Sequence, residues 1–137
     1  MEEKQSFLKQ KIDLESPNRN IVPISTSIEG DGKLSVGGCS IEELVKKYDT
    51  PLYILDEITL RNSCKAYKKA LEKYYPGKSL PIYASKANSS IFMSSLVSSE
   101  GFGLDAVSEG ELLTAIKGGV PNAVSYTHLT LPTSDLV

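Results

Sequence analysis

From Pro81 onward, hydrophobic and polar positions settle into a regular rhythm. A short apolar run, "PIYAS", is followed by the helically spaced "SIFMSSLVSSE". A second short run, "FGLDAV", leads into "EGELLTAIKGG", and "VPNAV" begins the cycle again. Apolar runs of about five residues alternating with helical stretches of about eleven predict βα units and a parallel sheet. The second helix closes at Gly118-Gly119, a natural C-cap.

The pattern before Pro81 is less regular. In "IVPISTSIEGDGKLSVGG" two β-rich pieces flank a turn at Gly30-Asp31-Gly32, which predicts a hairpin or two short strands. "CSIEELVKKYDT" reads as a helix with Ser40 as N-cap, Glu43 three residues on, and Ile41, Leu44, Val45 and Tyr48 on one face. Pro51 stops that helix, and "PLYILD" then reads as a short apolar strand. "EITLRNSCKAYKKALEKYY" is the longest periodic stretch, with Ile58, Leu60, Cys64, Tyr67, Leu71 and Tyr74 at helical intervals. Residues 1–20 are polar and aperiodic and are expected to form an N-terminal arm.

Composition narrows the function classes. The 137 residues, 40% of them hydrophobic, suffice for one modest core. Fifteen basic against 17 acidic residues leave a net charge of −2, with no electrostatic case for nucleic acid or an anionic membrane surface. No apolar run approaches the ~20 residues of a membrane span, and "MEEKQSFLKQKIDLES" lacks the apolar centre of a signal peptide. Cys39 and Cys64 have neither metal nor disulfide spacing, and the single histidine, His128, has no companion ligand. The expectation is a reduced, cytoplasmic setting with no metal.

Chemistry in βα folds gathers at the carboxyl ends of the strands. Lys86 follows the first of these strands, Asp105 and Ser108 lie around the end of the second, and Glu111 opens the next helix. A desolvated lysine near an acid can act as a nucleophile toward a carbonyl, and helix N-termini can meet an anion. Plainer readings compete. Lys86 can simply solvate a strand end, and Ser108 with Glu111 fits the S-x-x-E capping box. Gly101 and Gly103 precede a strand and complete no dinucleotide fingerprint.

Three motifs go further. "YASKANS" resembles the Y-A-x-K-A-N lysine motif of the fold-type III pyridoxal-phosphate decarboxylases. "GFGLDAVSEGEL" resembles the G-x-G-x-D-x-x-S-x-x-E-L segment that follows it in that family. "KYDTPLYILDEITLR" is similar to the family's lead-in, with Asp49 where glycine is commoner. The resemblance implies an α/β fold, a partial (β/α)8 TIM barrel of the alanine racemase-like kind, preceded by a β segment belonging to a second, β domain. It implies a pyridoxal-phosphate-dependent amino-acid decarboxylase with a small amino-acid substrate and, at full length, a homodimer.

Carried over position by position, Lys86 is the catalytic lysine that holds the cofactor aldehyde. Ala84 is the small residue on the strand beneath the cofactor, Asp105 a charge near lysine and cofactor, and Ser108 and Glu111 border the cofactor. The position of Ser85 points away from the site if Lys86 points in. The ornithine and arginine decarboxylases, whose lead-in and "KANSS" counterpart look less similar, stand as an alternative. So do a racemase relative or a non-catalytic pyridoxal-phosphate-binding barrel, against which "TPLYILDE" argues, and a small α/β binding module.

A whole barrel takes about 250 residues, so the resemblance covers only the first part of such an enzyme. The expected organisation is 1–20 arm, 21–50 lead-in of the β domain, and 51–123 start of the cofactor-binding barrel. A foreign or truncated tail is expected over 124–137, where "VSYTHLTLPTSDLV" resembles translated sequencing-adapter sequence. That tail is expected to be unpacked from Ser125, and the chain by itself to be inactive.

Overall fold

The computed structural model describes residues 10–11, 20–30, 32–121 and 125–126, which fall into two units, Met1–Leu60 and Arg61–Val137. The first unit is a four-stranded antiparallel sheet in the order β1 (Gln10–Lys11), β2 (Ser27–Ile28), β3 (Leu34–Val36) and β4 (Cys39–Ser40). The expected turn joins β2 to β3: the Glu29 amide donates to the Lys33 carbonyl at 2.8 Å, and that of Gly32 to the Glu29 carbonyl at 2.8 Å. A second, tighter hairpin joins β3 to β4 through Gly37 and Gly38, at φ 60° and 81°. Two successive left-handed residues make the turn whose twist matches a two-residue hairpin loop. Residues 1–20, expected to be an arm, contribute β1 at Gln10–Lys11, which pairs with β2.

Helix α1 (Ile41–Tyr48) opens as its sequence predicts, the Ser40 hydroxyl accepting from the Glu43 amide at 3.5 Å. It ends one residue past Tyr48, where Asp49 stands at φ 64°, ψ −174° and still donates its amide to the Val45 carbonyl at 2.8 Å. That backbone region is nearly reserved for glycine, which accounts physically for the glycine common at this place in the resembled lead-in.

The expected strand "PLYILD" does not form. Residues 51–56 carry no ladder, and Tyr53 is 97% exposed. An apolar run becomes a strand only where a neighbour takes up its backbone groups, and among the described residues none is paired with it. The end of this run instead starts the next helix, α2 (Glu57–Tyr74). Asp56 is buried, and its carboxylate accepts from the Thr59 amide at 3.0 Å and from the Thr59 hydroxyl. Burial by itself would raise its pKa. The hydrogen bonds from Thr59, Ser25 and the Ile58 amide together outweigh that and hold the carboxyl below its ordinary value. Ser25 in turn accepts from the Gly37 amide at 2.9 Å, and the Thr59 hydroxyl oxygen from the Ile24 amide at 2.9 Å. One carboxylate thereby fixes both the second hairpin and the start of α2.

Further along α2, Cys64 is buried and Leu71 half-buried, whereas Tyr67 and Tyr74, expected on the same face, are exposed. The expected stripe is thus rotated: Lys68, half-buried, shares the inward face with Cys64.

The second unit holds the βα rhythm. Its parallel sheet has the order β5 (Ile82–Ala84), β6 (Gly103–Asp105), β7 (Ser125–Tyr126), with helices α3 (Ile91–Ser99) and α4 (Glu109–Lys117) as the crossovers. Neighbours in space are thus neighbours in sequence, each strand following the last after one helix. The expectation of an unpacked segment from Ser125 is corrected at its first two residues: Ser125 and Tyr126 pair in parallel with Leu104 and Asp105. His128 and the rest of that tail lie outside the described residues.

Met93, Leu96, Val97, Phe102, Leu104, Ala106, Ala115 and Val120 form the buried core of this unit. Gly118, expected as a C-cap, does more than cap. A Cβ there would lie 2.8 Å from the Ser94 Cβ and 3.2 Å from the Ile91 carbonyl oxygen, so α4 can approach α3 this closely only because the side chain is absent. The other end of α3 is held by α2. Arg61 donates to Glu100 at 2.6 Å and to Ser99 at 3.0 Å, and Lys68 donates to the Glu100 carbonyl at 3.0 Å. Two cations thereby meet the negative end of a helix.

Candidate active site

The site must be sought at the carboxyl ends of β5 and β6. Their register sets Ala84 opposite Asp105, so the small residue and the acid stand side by side at the last paired position of the sheet. Immediately past Ala84 the chain enters a single 3-10 turn, Ser85–Ala87, and Lys86 is carried on that turn rather than on the strand. Lys86 is exposed, whereas Ser85 is 2% exposed with a hydroxyl that has no hydrogen-bond partner among the described residues. The two side chains thus differ in direction: Ser85 is turned into the protein and Lys86 to its surface.

Asp105 is the second unusual group. Its Oδ1 is buried and has no hydrogen-bond partner among the described residues. A carboxylate oxygen removed from water without a donor is costly, and a donor brought by a bound molecule would remove that cost. The expected partners Ser108 and Glu111 sit at the start of α4. The Ser108 hydroxyl accepts from the Glu111 amide at 3.2 Å, and Glu111 Oε2 accepts from the Val107 amide at 2.7 Å. This is a capping box whose carboxylate reaches one residue further back than usual. It ties the loop after Asp105 to α4, so the plainer reading of this pair accounts for its geometry. Among the five predicted residues, the backbone brings Ala84 and Asp105 into direct register, leaves Lys86 one turn beyond, and places Ser108 and Glu111 on the adjoining loop and helix.

Two residues that sequence reasoning left without a role frame the lysine turn. The Tyr83 hydroxyl donates to the Asn88 carbonyl at 3.4 Å, and the Ser90 amide donates to Asn88 Oδ1 at 3.0 Å. Both belong to the quoted motif "YASKANS", so the signal was present in the letters flanking Lys86. Cys64 offers no rival nucleophile: burial first, and the charge of Glu100 second, push its thiol pKa up, which keeps it protonated.

A lysine on the turn after one strand, an acid at the end of the neighbouring strand and a capped helix start thus gather at the carboxyl end of this βα sheet. Residues 57–136 match the family described as the pyridoxal-dependent decarboxylase, pyridoxal binding domain. The chain belongs to that family, and pyridoxal phosphate is its cofactor. Among particular relatives, the diaminopimelate decarboxylase of Synechocystis sp. is 46% identical over 101 residues, 74% of this chain and 22% of that protein. That of Bacillus subtilis is 43% identical over 97 residues, again covering 71% and 22%. The crystal structure of diaminopimelate decarboxylase from M. jannaschii superposes with a TM-score of 0.68 at 31% identity, over 76% of this chain and 24% of that one. The chain therefore spans less than a quarter of the length of these relatives.

The residues at the strand ends fit the cofactor. An exposed primary amine follows β5, and the end of the paired strand β6 carries a carboxylate oxygen without a hydrogen-bond partner among the described residues. An aldehyde needs the first, and a donor group held nearby satisfies the second.

Proposed function

We propose that this chain is the lysine-bearing part of a diaminopimelate decarboxylase, which releases CO₂ from meso-diaminopimelate and leaves L-lysine. The observation that carries the reading is Lys86 on its own turn just beyond Ala84, the residue that pairs with Asp105, whose buried Oδ1 has no hydrogen-bond partner among the described residues. The relatives at 46% and 43% identity support it, as does a structure of the M. jannaschii enzyme in co-complex with L-lysine, 31% identical to this chain.

Pyridoxal phosphate, when bound, supplies an aldehyde that joins to amines and a ring that takes up the electron pair left when CO₂ departs. The chain's own residues do the rest of the local work. Lys86 would hold the aldehyde through Nζ, and the same Nζ, when not so engaged, would carry a proton. Asp105 accepts a hydrogen bond at Oδ1 from a donor on the bound molecule and sets its orientation. Ala84, opposite it, leaves room where a larger side chain would fill the floor of the site. Ser108 and Glu111 act by position, holding the loop from Ala106 to Ser108 against α4 so that Asp105 keeps its place. The reading carries with it a homodimer in a cytoplasmic setting at the length of the relatives, and no turnover by the 137-residue chain alone.

Borohydride reduction of the pyridoxal-phosphate-loaded full-length protein, followed by peptide mapping, tests the assignment. The pyridoxyl group is expected on Lys86. Its appearance on Lys78 or Lys117 instead would overturn the reading.

A further inference from the structure

The Lys86 turn is short, and little within it keeps it in place. A three-residue 3-10 segment has poor internal hydrogen-bond geometry, and the Ser85 hydroxyl, which has the opportunity to anchor it, has no partner among the described residues. Lys86 itself is exposed, so its long side chain is not fixed by packing. What surrounds the turn is a relay centred on Asn88. That residue is extended, at φ −159° and ψ 103°, and separates the turn from α3. Its backbone carbonyl accepts from the Tyr83 hydroxyl, bridging from the strand before the turn to the residue after it. Its side-chain Oδ1 accepts from the Ser90 amide, and the Ser90 hydroxyl accepts from the Met93 amide at 3.3 Å as the N-cap of α3. Burial raises the Tyr83 pKa, which keeps the hydroxyl a donor.

We propose that Asn88 is a positioning residue for Lys86. With Tyr83 on one side and Ser90 on the other, it clamps both ends of the turn and restricts where the amine can stand. The inference rests on the reading of Lys86 as the aldehyde-holding lysine. The relay predicts that losing either arm lets the turn drift, and that the reaction of Lys86 with an aldehyde slows while the fold persists.

The test adds pyridoxal phosphate to the full-length protein, traps the product with borohydride at short times, and compares label on Lys86 with label on Lys78 and Lys117. A displacement near 1 Å can cost about a hundredfold in reactivity. Asn88→Ala is therefore expected to lower Lys86 labelling about tenfold or more, with the other lysines and the thermal midpoint little changed. Asn88→Asp keeps an acceptor for the Ser90 amide and is expected to restore most of the labelling, while Tyr83→Phe falls between. Equal Lys86 labelling in Asn88→Ala and the unsubstituted protein would overturn the positioning role and leave the Lys86 assignment standing. A parallel loss of label at all three lysines together with a lowered midpoint would show a folding role and overturn it too. Absence of label from Lys86 in the unsubstituted protein would remove the assignment on which the inference rests.

Discussion

In the first unit the buried side chains are mostly oxygen-bearing: Thr26, Ser27, Ser35 and Asp56, with Val36 as the apolar member. In the second they are mostly hydrocarbon, from Met93 and Val97 on α3 to Leu104 on β6 and Ala115 on α4. The Ser27 and Ser35 hydroxyls meet at 2.8 Å across β2 and β3 where a sheet usually places an apolar pair. The two regions therefore depend on different physics. Directional hydrogen bonds hold the first and respond to protonation. Close packing holds the second and responds to lost volume.

The sharpest way to break the comparison is to remove volume from the second unit. Leu104 lies on the central strand, between Tyr83 and Ser125, and is 1% exposed. Leu104→Ala is expected to cost about 2–5 kcal/mol, read as a lower urea midpoint. A change under about 1 kcal/mol would mean that the site collapses freely and that the packing is looser than it looks.

The first unit should fail by protonation. Because the folded pKa of Asp56 lies below its ordinary value of 3.8, its contribution is present above that value. It is lost as pH falls through the folded pKa. Asp56→Ala strands the Thr59 and Ser25 donors and is expected to cost about 1–3 kcal/mol at neutral pH. That penalty should shrink as the pH is lowered below 3.8, where the carboxylate protonates first in the unfolded chain and, at lower pH still, in the folded one. A penalty unchanged down to pH ~2 would show that the charge on Asp56 is irrelevant.

The smallest expected effect is a gain. Asp49→Gly relieves a backbone that costs about 1–3 kcal/mol for a residue with a side chain. It gives up the bond from the Thr50 amide to Asp49 Oδ1 at 2.8 Å and adds chain entropy to the unfolded state. The net expectation is a stabilisation of about 1 kcal/mol or less, seen as a midpoint raised by a few degrees. A lowered midpoint would show that the Thr50 hydrogen bond outweighs the strain.

What the sequence made legible follows the same division. β5, α3, β6 and α4 were readable because each buries one face against a core, and burial imposes a period. "PLYILD" was misread because apolar content says nothing about whether a ladder partner exists. Asp56 was missed for a related reason: read as the last letter of that strand, it was not recognised as the N-cap of "EIT", although Thr59 three residues on is the partner such a cap requires. The pairing of Gln10 with Ile28 and of Tyr126 with Asp105 depends on tertiary partners that no local pattern announces. Of the site, Lys86 and Asp105 were legible through the motifs that contain them. The Tyr83–Asn88 contact was not, since it depends on how the chain turns between them.

The N-cap of α3 also has a temporal meaning. Parallel strands cannot pair until the crossover between them has turned the chain back, so β5 and β6 must wait for α3, and α3 must wait for Ser90. The cap should already be formed at the folding barrier. Ser90→Ala is then expected to slow refolding by a factor approaching that of its total destabilisation, about 1 kcal/mol, with the unfolding arm of the chevron little moved. An effect confined to the unfolding arm would place cap formation after the barrier. Because the amide of the same serine is held by Asn88, the moment at which this helix starts is also the moment at which the lysine turn takes its shape.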